Sequence, residues 1–194
     1  MLAAAMPRAP FWRAAALALW LQACATHPPP LPGSVVSGRI AVRRDAAPAQ
    51  EARAVGGEFE LSGNASSGQL ILTSSIGVTI ARARWSAPAP GTGLPSRIEL
   101  EAQGGTSQYP TLEAMMQDAI GDQLPLAAMF DWLAGRPWPG AAAERAPGGA
   151  AFDQLGWRVD LSQFGPAGFI DAQRALPAPT LHVRVKLDGP ETPR

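Results

Sequence analysis

Cysteine and histidine are almost absent from this chain. Of its 194 residues, one is a cysteine, Cys24, and two are histidines, His27 and His182. A single thiol has no intramolecular partner for a disulfide, and these three scattered side chains do not make a transition-metal site of the usual type. We therefore expect no metal site.

An excess of charge and the common catalytic motifs are also missing. Sixteen basic and sixteen acidic residues cancel, which gives no reason to expect a nucleic-acid partner. The chain has no G-x-x-x-x-G-K-[ST] phosphate loop, and the serines of GNASSG (63–68) fall at the wrong offset for a G-x-S-x-G elbow. We expect neither an enzyme nor a cofactor. A lipid-tethered hydrolase stays open as an alternative, and it would need converging titratable groups in a pocket.

The N-terminal segment is typical of a secretory signal. Arg8 and Arg13 precede an apolar run, AAALALWL (14–21), that is too short to span a bilayer. The tripeptide LQA (21–23) before Cys24 resembles the lipobox of bacterial lipoproteins. This resemblance implies cleavage after residue 23 and a lipid on Cys24. The alternative is an ordinary secretory signal followed by an unpaired thiol.

The segment after the cysteine is predicted to be a lipidated, proline-rich tether over residues 24–34. Its prolines at 28, 29, 30 and 32 favour an extended polyproline II conformation. Ala25 and Thr26, rather than an aspartate, follow Cys24, and by the lipoprotein sorting rule this implies the outer membrane. No second apolar span follows, so we expect a protein that is anchored to the membrane and does not cross it.

Residues 35–194 are predicted to form a single domain that is rich in antiparallel strands. Apolar and polar residues alternate with period two in several short runs, which indicates strands with one apolar face. The segment 62–68 (SGNASSG) predicts a hairpin turn, and 138–151 is interpreted as a low-complexity loop. The predicted strands lie around residues 36–43, 58–62, 70–72, 78–80, 97–101, 157–161 and 181–187.

Two helices interrupt the strands. The first is predicted to begin at Pro110–Thr111 and to end at Gly121, with Leu112, Met115, Met116 and Ala119 on one face. The second is predicted to begin at Pro125 and to stop at Gly135. Short helices within a run of antiparallel strands predict an α+β fold, with the helices on one side of a curved sheet.

Several motifs together resemble the LolB family, the outer-membrane receptors of the lipoprotein localisation pathway. They are SGRIAV (37–42), GQLILTSSIG (68–77), the two-helix segment 111–140, GWRVDL (156–161) and LPAPTLHVRVKLD (176–188). The resemblance implies an incomplete, strongly curved antiparallel β-barrel with a helical lid over an apolar cavity. It also implies that a LolA-type periplasmic carrier delivers acylated lipoproteins, which the protein inserts into the inner leaflet of the outer membrane. We expect a monomer.

The same resemblance suggests residues for an acyl-chain cavity. Flexible methionine side chains suit an irregular pocket that is filled and emptied. The alternative is that the same residues form an ordinary core between helices and sheet, which an apolar stripe at helical spacing usually does. The candidate residues are Ile40, Val42, Phe59, Leu61, Leu70, Leu72, Met115, Met116, Met129, Phe130, Leu133 and Trp157.

The loop SSIG (74–77) is a candidate for membrane insertion. A hairpin tip that faces water should be polar, but Ile76 is apolar and Gly77 permits a tight turn. In the family, the corresponding loop projects an apolar residue into the membrane. Alternatively, Ile76 folds back onto the sheet or is a scattered surface apolar residue. A structural envelope lipoprotein that acts through protein contacts also stays open, and it would show an exposed apolar patch instead of a cavity.

Overall fold

The computed structural model describes residues 34–48, 51–88, 96–102, 104–177 and 179–189. The predicted signal sequence, Cys24 and the tether up to residue 33 lie outside the described residues. None of the helices in the described ranges is long and apolar enough to cross a membrane.

The described chain contains eleven strands and three helices, which is an α+β composition. The strands are β1 (Ser34–Arg44), β2 (Arg53–Gly63), β3 (Ser67–Thr73), β4 (Thr79–Ser86), β5 (Arg97–Ala102), β6 (Gly105–Gln108), β7 (Ala143–Arg145), β8 (Ala151–Gln154), β9 (Trp157–Asp160), β10 (Phe169–Arg174) and β11 (Leu181–Leu187). The helices are α1 (Leu112–Ile120), α2 (Leu126–Leu133) and the short α3 (Phe164–Ala167).

All eleven strands belong to one antiparallel sheet that does not close. Its order is β6-β5-β4-β3-β2-β1-β11-β10-β9-β8-β7, so β6 and β7 are its two edges in the described chain. Neighbours in this order are mostly consecutive along the chain. The exception is the central β1–β11 pair, in which Ile40 lies opposite Val185 and Arg44 opposite Leu181. The first and last strands therefore join the two halves of the sheet.

The sheet is strongly curved, as the contacts of α2 demonstrate. The rings of Phe130 and Trp85 on β4 have centroids 6.1 Å apart, and those of Trp132 and Trp157 on β9 are 6.0 Å apart. Two residues of a helix rise only about 3 Å. β4 and β9 are six strand steps apart in the sheet, which is roughly 29 Å on a flat sheet at about 4.8 Å per step. One short helix reaches both strands only because the sheet curls around it.

Helix α1 has a capping residue at each end. The Thr111 hydroxyl accepts a hydrogen bond from the Ala114 N–H at 3.1 Å, which caps the first turn. Gly121 ends the helix in the left-handed conformation, with φ of 74°. Met115, Met116 and Ile120 are buried on the helix face toward the sheet. The sequence prediction for this helix is confirmed at both ends.

Helix α2 follows Pro125 and is confirmed as well. It buries Leu126, Ala128, Met129, Trp132 and Leu133, so most of its surface faces protein. An all-round apolar helix of this kind belongs inside a core rather than on a surface.

The hairpin predicted at 62–68 is confirmed and has two anchors. The Asn64 side-chain oxygen accepts hydrogen bonds from the N–H groups of Ser66 and Ser67 at 2.8 and 3.0 Å. The Trp85 indole N–H donates to the Asn64 carbonyl at 2.9 Å. A Cβ atom on Gly68 would lie 2.3 Å from the Trp85 ring, so this position requires glycine. The turn thus fixes a large buried aromatic of β4.

Several elements are absent from the sequence prediction. The stretch 138–151 is not wholly a loop, because it contains β7 and the first residue of β8. The strands β6 and β10 and the helix α3 were not predicted either. β6 reads GTSQ and is exposed along its whole length, so no alternation marks it. In β10 the inward residues are Ile170 and the small Ala172, which weakens the pattern.

Candidate functional site

An apolar pocket of about 100 Å³ lies between the sheet and the helices α1 and α2. Strands β1 to β5 supply one wall, while the two helices and their linker supply the other. Every lining side chain is apolar. A space of this kind gives no hydrogen-bonding partner to a polar ligand, but it costs an alkyl group nothing in desolvation.

Ten of the twelve residues proposed from the sequence line this pocket. They are Ile40, Val42, Phe59, Leu61, Leu70, Leu72, Met115, Met116, Met129 and Leu133. Phe130 and Trp157 are not among the lining residues. Phe130 instead packs edge-on against Trp85, and Trp157 is buried against Trp132 on the other half of the sheet.

Eight further lining residues were not among the cavity candidates named from the sequence. Three of them are alanines, which carry little signal in a pattern of large apolar residues, although their small size leaves the space open. The remaining five residues lie on β2, on β5, at helix ends and in the α1–α2 linker. The eight are Val55, Ala81, Ala83, Leu100, Ala119, Ile120, Leu124 and Leu126.

Three methionines form much of the helical wall. Met115, Met116 and Met129 are all buried, and all three touch the pocket. Their side chains are unbranched and can adopt several rotamers at small cost. This wall can therefore change shape more easily than a wall of branched residues.

Two arginines hold the α1–α2 linker at one end of the pocket. Arg44 on β1 and Arg174 on β10 both lie opposite Leu181 of β11, one on each side of it. The Arg44 guanidinium donates to the Gly121 carbonyl at 2.9 Å, and Arg174 forms an ion pair with Asp122. The Arg174 and Asp122 side chains are only about 10% exposed. The linker is thus tied to the sheet by charged groups that are largely withdrawn from water.

The far end of α2 is tied to β8 through Gln154, a buried polar residue. Its side-chain oxygen accepts from the Trp132 indole N–H at 2.8 Å and from the Trp138 backbone N–H at 2.9 Å. Its amide nitrogen donates to the carbonyls of Trp138 and Ala141 at 2.7 and 2.8 Å. All four hydrogen-bonding positions of this side chain are therefore filled.

The loop proposed for membrane insertion projects its apolar residue into solvent. Ile76 is 84% exposed at the tip of the β3–β4 hairpin. The Gly77 N–H donates to the Ser74 carbonyl at 2.9 Å, and Gly77 has φ of 81°. The Ser74 hydroxyl accepts from the Val78 N–H at 3.1 Å. The turn is well ordered by hydrogen bonds, and Ile76 does not fold back onto the sheet.

Among the residues that the structure describes, none of those lining the pocket is titratable. The hydrogen bond that Tyr109 donates to Asp118 raises the pKa of its hydroxyl. Hydrogen bonds from Ser162 lower the pKa of Asp160. Neither residue lines the pocket. In the described ranges no group of three histidine, cysteine or acidic side chains is placed to hold a metal ion.

The fold and the pocket define the class to which the protein belongs. It is an α+β protein in which an open, curved antiparallel sheet and two helices surround a pocket lined by apolar side chains.

Comparison with known proteins identifies the family. Residues 35–188 match the family described as Outer membrane lipoprotein LolB. A protein of Bordetella petrii named outer-membrane lipoprotein LolB is 30% identical over 193 aligned positions, which cover 92% of each chain. The proteins of that name from Bordetella bronchiseptica and Thiobacillus denitrificans are 32% and 28% identical and cover 98% and 78% of this chain, and 100% and 81% of their own. The chain belongs to the LolB family.

Membership confirms the resemblance seen in the motifs. It places the chain among the lipid-anchored outer-membrane lipoproteins that serve lipoprotein localisation, and it makes the chain a trafficking protein rather than an enzyme.

Proposed function

We propose that the protein accepts acylated lipoproteins from a LolA-type periplasmic carrier and inserts them into the inner leaflet of the outer membrane. The observation that supports this proposal best is the wholly apolar pocket between the sheet and helices α1 and α2. Each methylene moved from water into such a space is favourable by about 0.8 kcal/mol, or roughly fourfold in affinity.

The pocket must widen to hold its cargo. At about 100 Å³ it is smaller than the roughly 150 Å³ apolar void that accommodates a benzene molecule. An acyl chain is much larger than benzene, so α1 and α2 act as a lid that moves away from the sheet. The methionine side chains yield first, since they change rotamer most easily.

We assign acyl-chain contact to the ten predicted residues that line the pocket and to the alanines that keep it open. Phe130 and Trp157 are left out of this assignment because they pack elsewhere. They hold α2 in place from its two sides.

The proposed anchor is a lipid on Cys24, exposed after removal of residues 1–23. Residues 24–34 then form the tether, and 35–194 form the binding domain, which we propose is a monomer. One acyl chain gives only marginal membrane binding, whereas several chains hold a protein almost permanently. The protein therefore stays at the membrane while its cargo passes through.

Release requires that the bilayer hold the acyl chains more favourably than the pocket does. No nucleotide is then needed, because each step from carrier to receptor to bilayer runs downhill. Ile76 contributes at the last step by entering the membrane, with Gly77 allowing the turn that presents it. Burying one such side chain yields about 1.5–3 kcal/mol, which orients a tethered domain but does not anchor it.

A transfer assay tests the proposal. The mature protein in liposomes is mixed with a LolA-type carrier that holds a triacylated lipoprotein, and the lipoprotein that reaches the liposomes is measured. We expect deposition with the protein present and none with protein-free liposomes. A second measurement uses the Cys24→Ala variant and compares acylated with unacylated peptide, since this variant has no lipid of its own. Equal affinity for the two peptides excludes the proposal and favours a structural lipoprotein that acts through protein contacts.

A further inference from the structure

Several hairpin loops lie at one end of the curved sheet, and three of them carry exposed apolar side chains. Because Arg44 lies opposite both Leu181 and Arg53, the β10–β11 loop and the start of β2 are at the same end as the end of β1. The register of β2 with β3 places the β3–β4 loop there too. The register of β10 with β9 does the same for the β8–β9 loop. We use the name rim for the β3–β4, β8–β9 and β10–β11 loops, represented by residues 74–78, 155–156 and 175–177.

The rim carries apolar side chains where water-facing turns normally carry polar ones. Besides Ile76 in the first loop, Leu176 is 77% exposed in the third and Leu155 is 46% exposed in the second. The three loops read SSIGV, LG and ALP, and none of them contains a charged residue. Leu155 and Leu176 belong to neighbouring hairpins, since a Cβ on Gly156 would be 3.9 Å from the Leu176 carbonyl oxygen.

Leu155 is also held in an unfavourable backbone conformation. Its φ is 54°, and Gly156 after it has φ of 77°. A two-residue hairpin with both residues at positive φ strongly favours Asn-Gly or Asp-Gly. Leucine is a poor choice there on two counts, because its side chain clashes with the left-handed backbone and because it faces solvent. Residues that break local rules in this way cluster at functional sites.

We infer that Leu155 and Leu176 form a second membrane contact at the rim, separate from Ile76. The partner is a lipid bilayer, because the family consists of lipoproteins anchored in the outer membrane. The β1–β2 loop between the two contacts is charged, with Asp45 placed 3.3 Å from Arg43. The apolar contacts are therefore confined to either side of it.

Two membrane contacts fix the orientation of the domain on the bilayer, which a single contact does not. A domain held at Ile76 alone can still tilt about that point, whereas a second contact several strands away fixes the line along which the rim meets the bilayer. This inference rests on the proposed function, since it gives the deposition step a fixed geometry. Compared with the proposed function, the inference adds Leu155 and Leu176, on the other half of the sheet from Ile76, to the residues that contact the membrane.

Site-specific fluorescence in liposomes tests the contact without any cargo. The chain has one native cysteine, which the lipid is expected to block, so Leu176→Cys introduces a single labelling site for an environment-sensitive fluorophore. The control is Ser66→Cys, an exposed position in the β2–β3 hairpin at the opposite end. We expect a blue shift and quenching by nitroxide lipids at position 176 and neither at position 66. Equal quenching at the two positions overturns the inference, as does a shift at 176 that appears only when a carrier protein is added.

The variant Leu155→Asn supplies a second readout. Asparagine tolerates the left-handed conformation, so this change should raise the melting temperature while it slows deposition of cargo into liposomes. If Leu155 had a purely structural role, stability and deposition would fall together, and that result or an unchanged deposition rate overturns the inference. The fluorescence measurement needs no cargo, so it remains decisive even if the transfer assay fails.

Discussion

The indole N–H of Trp132 donates a hydrogen bond to the side chain of Gln154 across 2.8 Å, inside the most aromatic part of the core. Trp132 also packs against Phe152 and Trp157, with ring centroids 6.3 and 6.0 Å away. At the other side of α2, Phe130 meets Trp85. The helix is therefore fixed on one side by a polar network and aromatics and on the other by a single aromatic pair.

Replacing Gln154 with leucine should destabilise the fold strongly. Gln154→Leu leaves the Trp132 indole N–H and the Trp138 N–H without partners in a buried place. Each unsatisfied group costs about 1–3 kcal/mol, so we expect a loss of at least about 2 kcal/mol in urea unfolding. The control is Gln173→Leu, at an exposed position of β10. A loss no larger than that of the control contradicts the network's role.

Removing one member of the Arg174–Asp122 pair should cost more than removing both. Arg174→Leu leaves the largely buried carboxylate of Asp122 without its cation, although it keeps the hydrogen bond from the Gln123 N–H at 2.6 Å. Removing one partner of a buried pair typically costs about 3–5 kcal/mol. The double variant with Asp122→Leu should regain most of this stability, as measured by denaturant unfolding. Additive losses in the double variant would mean that the two side chains act independently.

Filling the pocket should block cargo and spare the fold. Ala119 lines the pocket, whereas the half-buried Ala114 on the same helix does not. Ala119→Phe should weaken binding of an acylated peptide by roughly tenfold or more, because each displaced methylene accounts for about fourfold. Ala114→Phe should leave binding unchanged. If the space is an ordinary core, Ala119→Phe instead overpacks it and costs about 1–3 kcal/mol of stability.

A charge at the tip of the β3–β4 hairpin should slow release only. Ile76 is exposed and has no packing role, so Ile76→Glu should leave folding and cargo acceptance intact. Deposition into liposomes should slow, because a carboxylate does not enter the hydrocarbon. Ile76→Leu should behave like the parent, and Ser66→Glu controls for added charge at the other end. A parental rate for Ile76→Glu argues against membrane insertion of this loop.

Acid should weaken the fold partly through Asp160. Hydrogen bonds from the Ser162 hydroxyl and from the Ser162 N–H, the latter at 2.8 Å, lower the pKa of its carboxyl in the folded state. A lowered folded-state pKa means that its stabilising contribution is complete above about pH 4 and is lost as the pH falls through the lowered value. Asp160→Asn keeps an acceptor but cannot titrate. The free energy of unfolding of this variant should therefore fall less than that of the parent protein between about pH 4 and pH 2. If the two proteins lose stability in parallel as the pH falls, Asp160 contributes nothing to the acid sensitivity.

Sequence patterns predicted the parts of this fold in which side chains are large and boundaries are chemically marked. α1 has a threonine cap, a clear apolar face and a terminal glycine, so both ends could be placed. β1 and β11 alternate clearly because large residues such as Val42 and Val185 face inward along them. The ten pocket residues could be named because the family resemblance implied a cavity and each of them is a large apolar residue on such an element.

The remaining elements have no such pattern. β6 lies at an edge with both faces exposed, so nothing constrains its residues to alternate. β7 and β8 lie in a stretch rich in alanine and glycine and are defined by pairing, β8 with β9 and β7 with β8. Tertiary packing also decided the roles of Phe130 and Trp157, since helical spacing alone does not tell which half of a curled sheet a residue meets.

An unclosed sheet exposes backbone N–H and C=O groups along its two edge strands, and such edges can recruit strands from other chains. Here both edges are poor templates. β6 has four small or polar residues, and β7 has three, including Glu144 and Arg145. Charged side chains and short edge strands are among the usual means by which proteins prevent edge-to-edge aggregation. The sheet can therefore stay open along both of these short edges without offering a long template to strands from other chains.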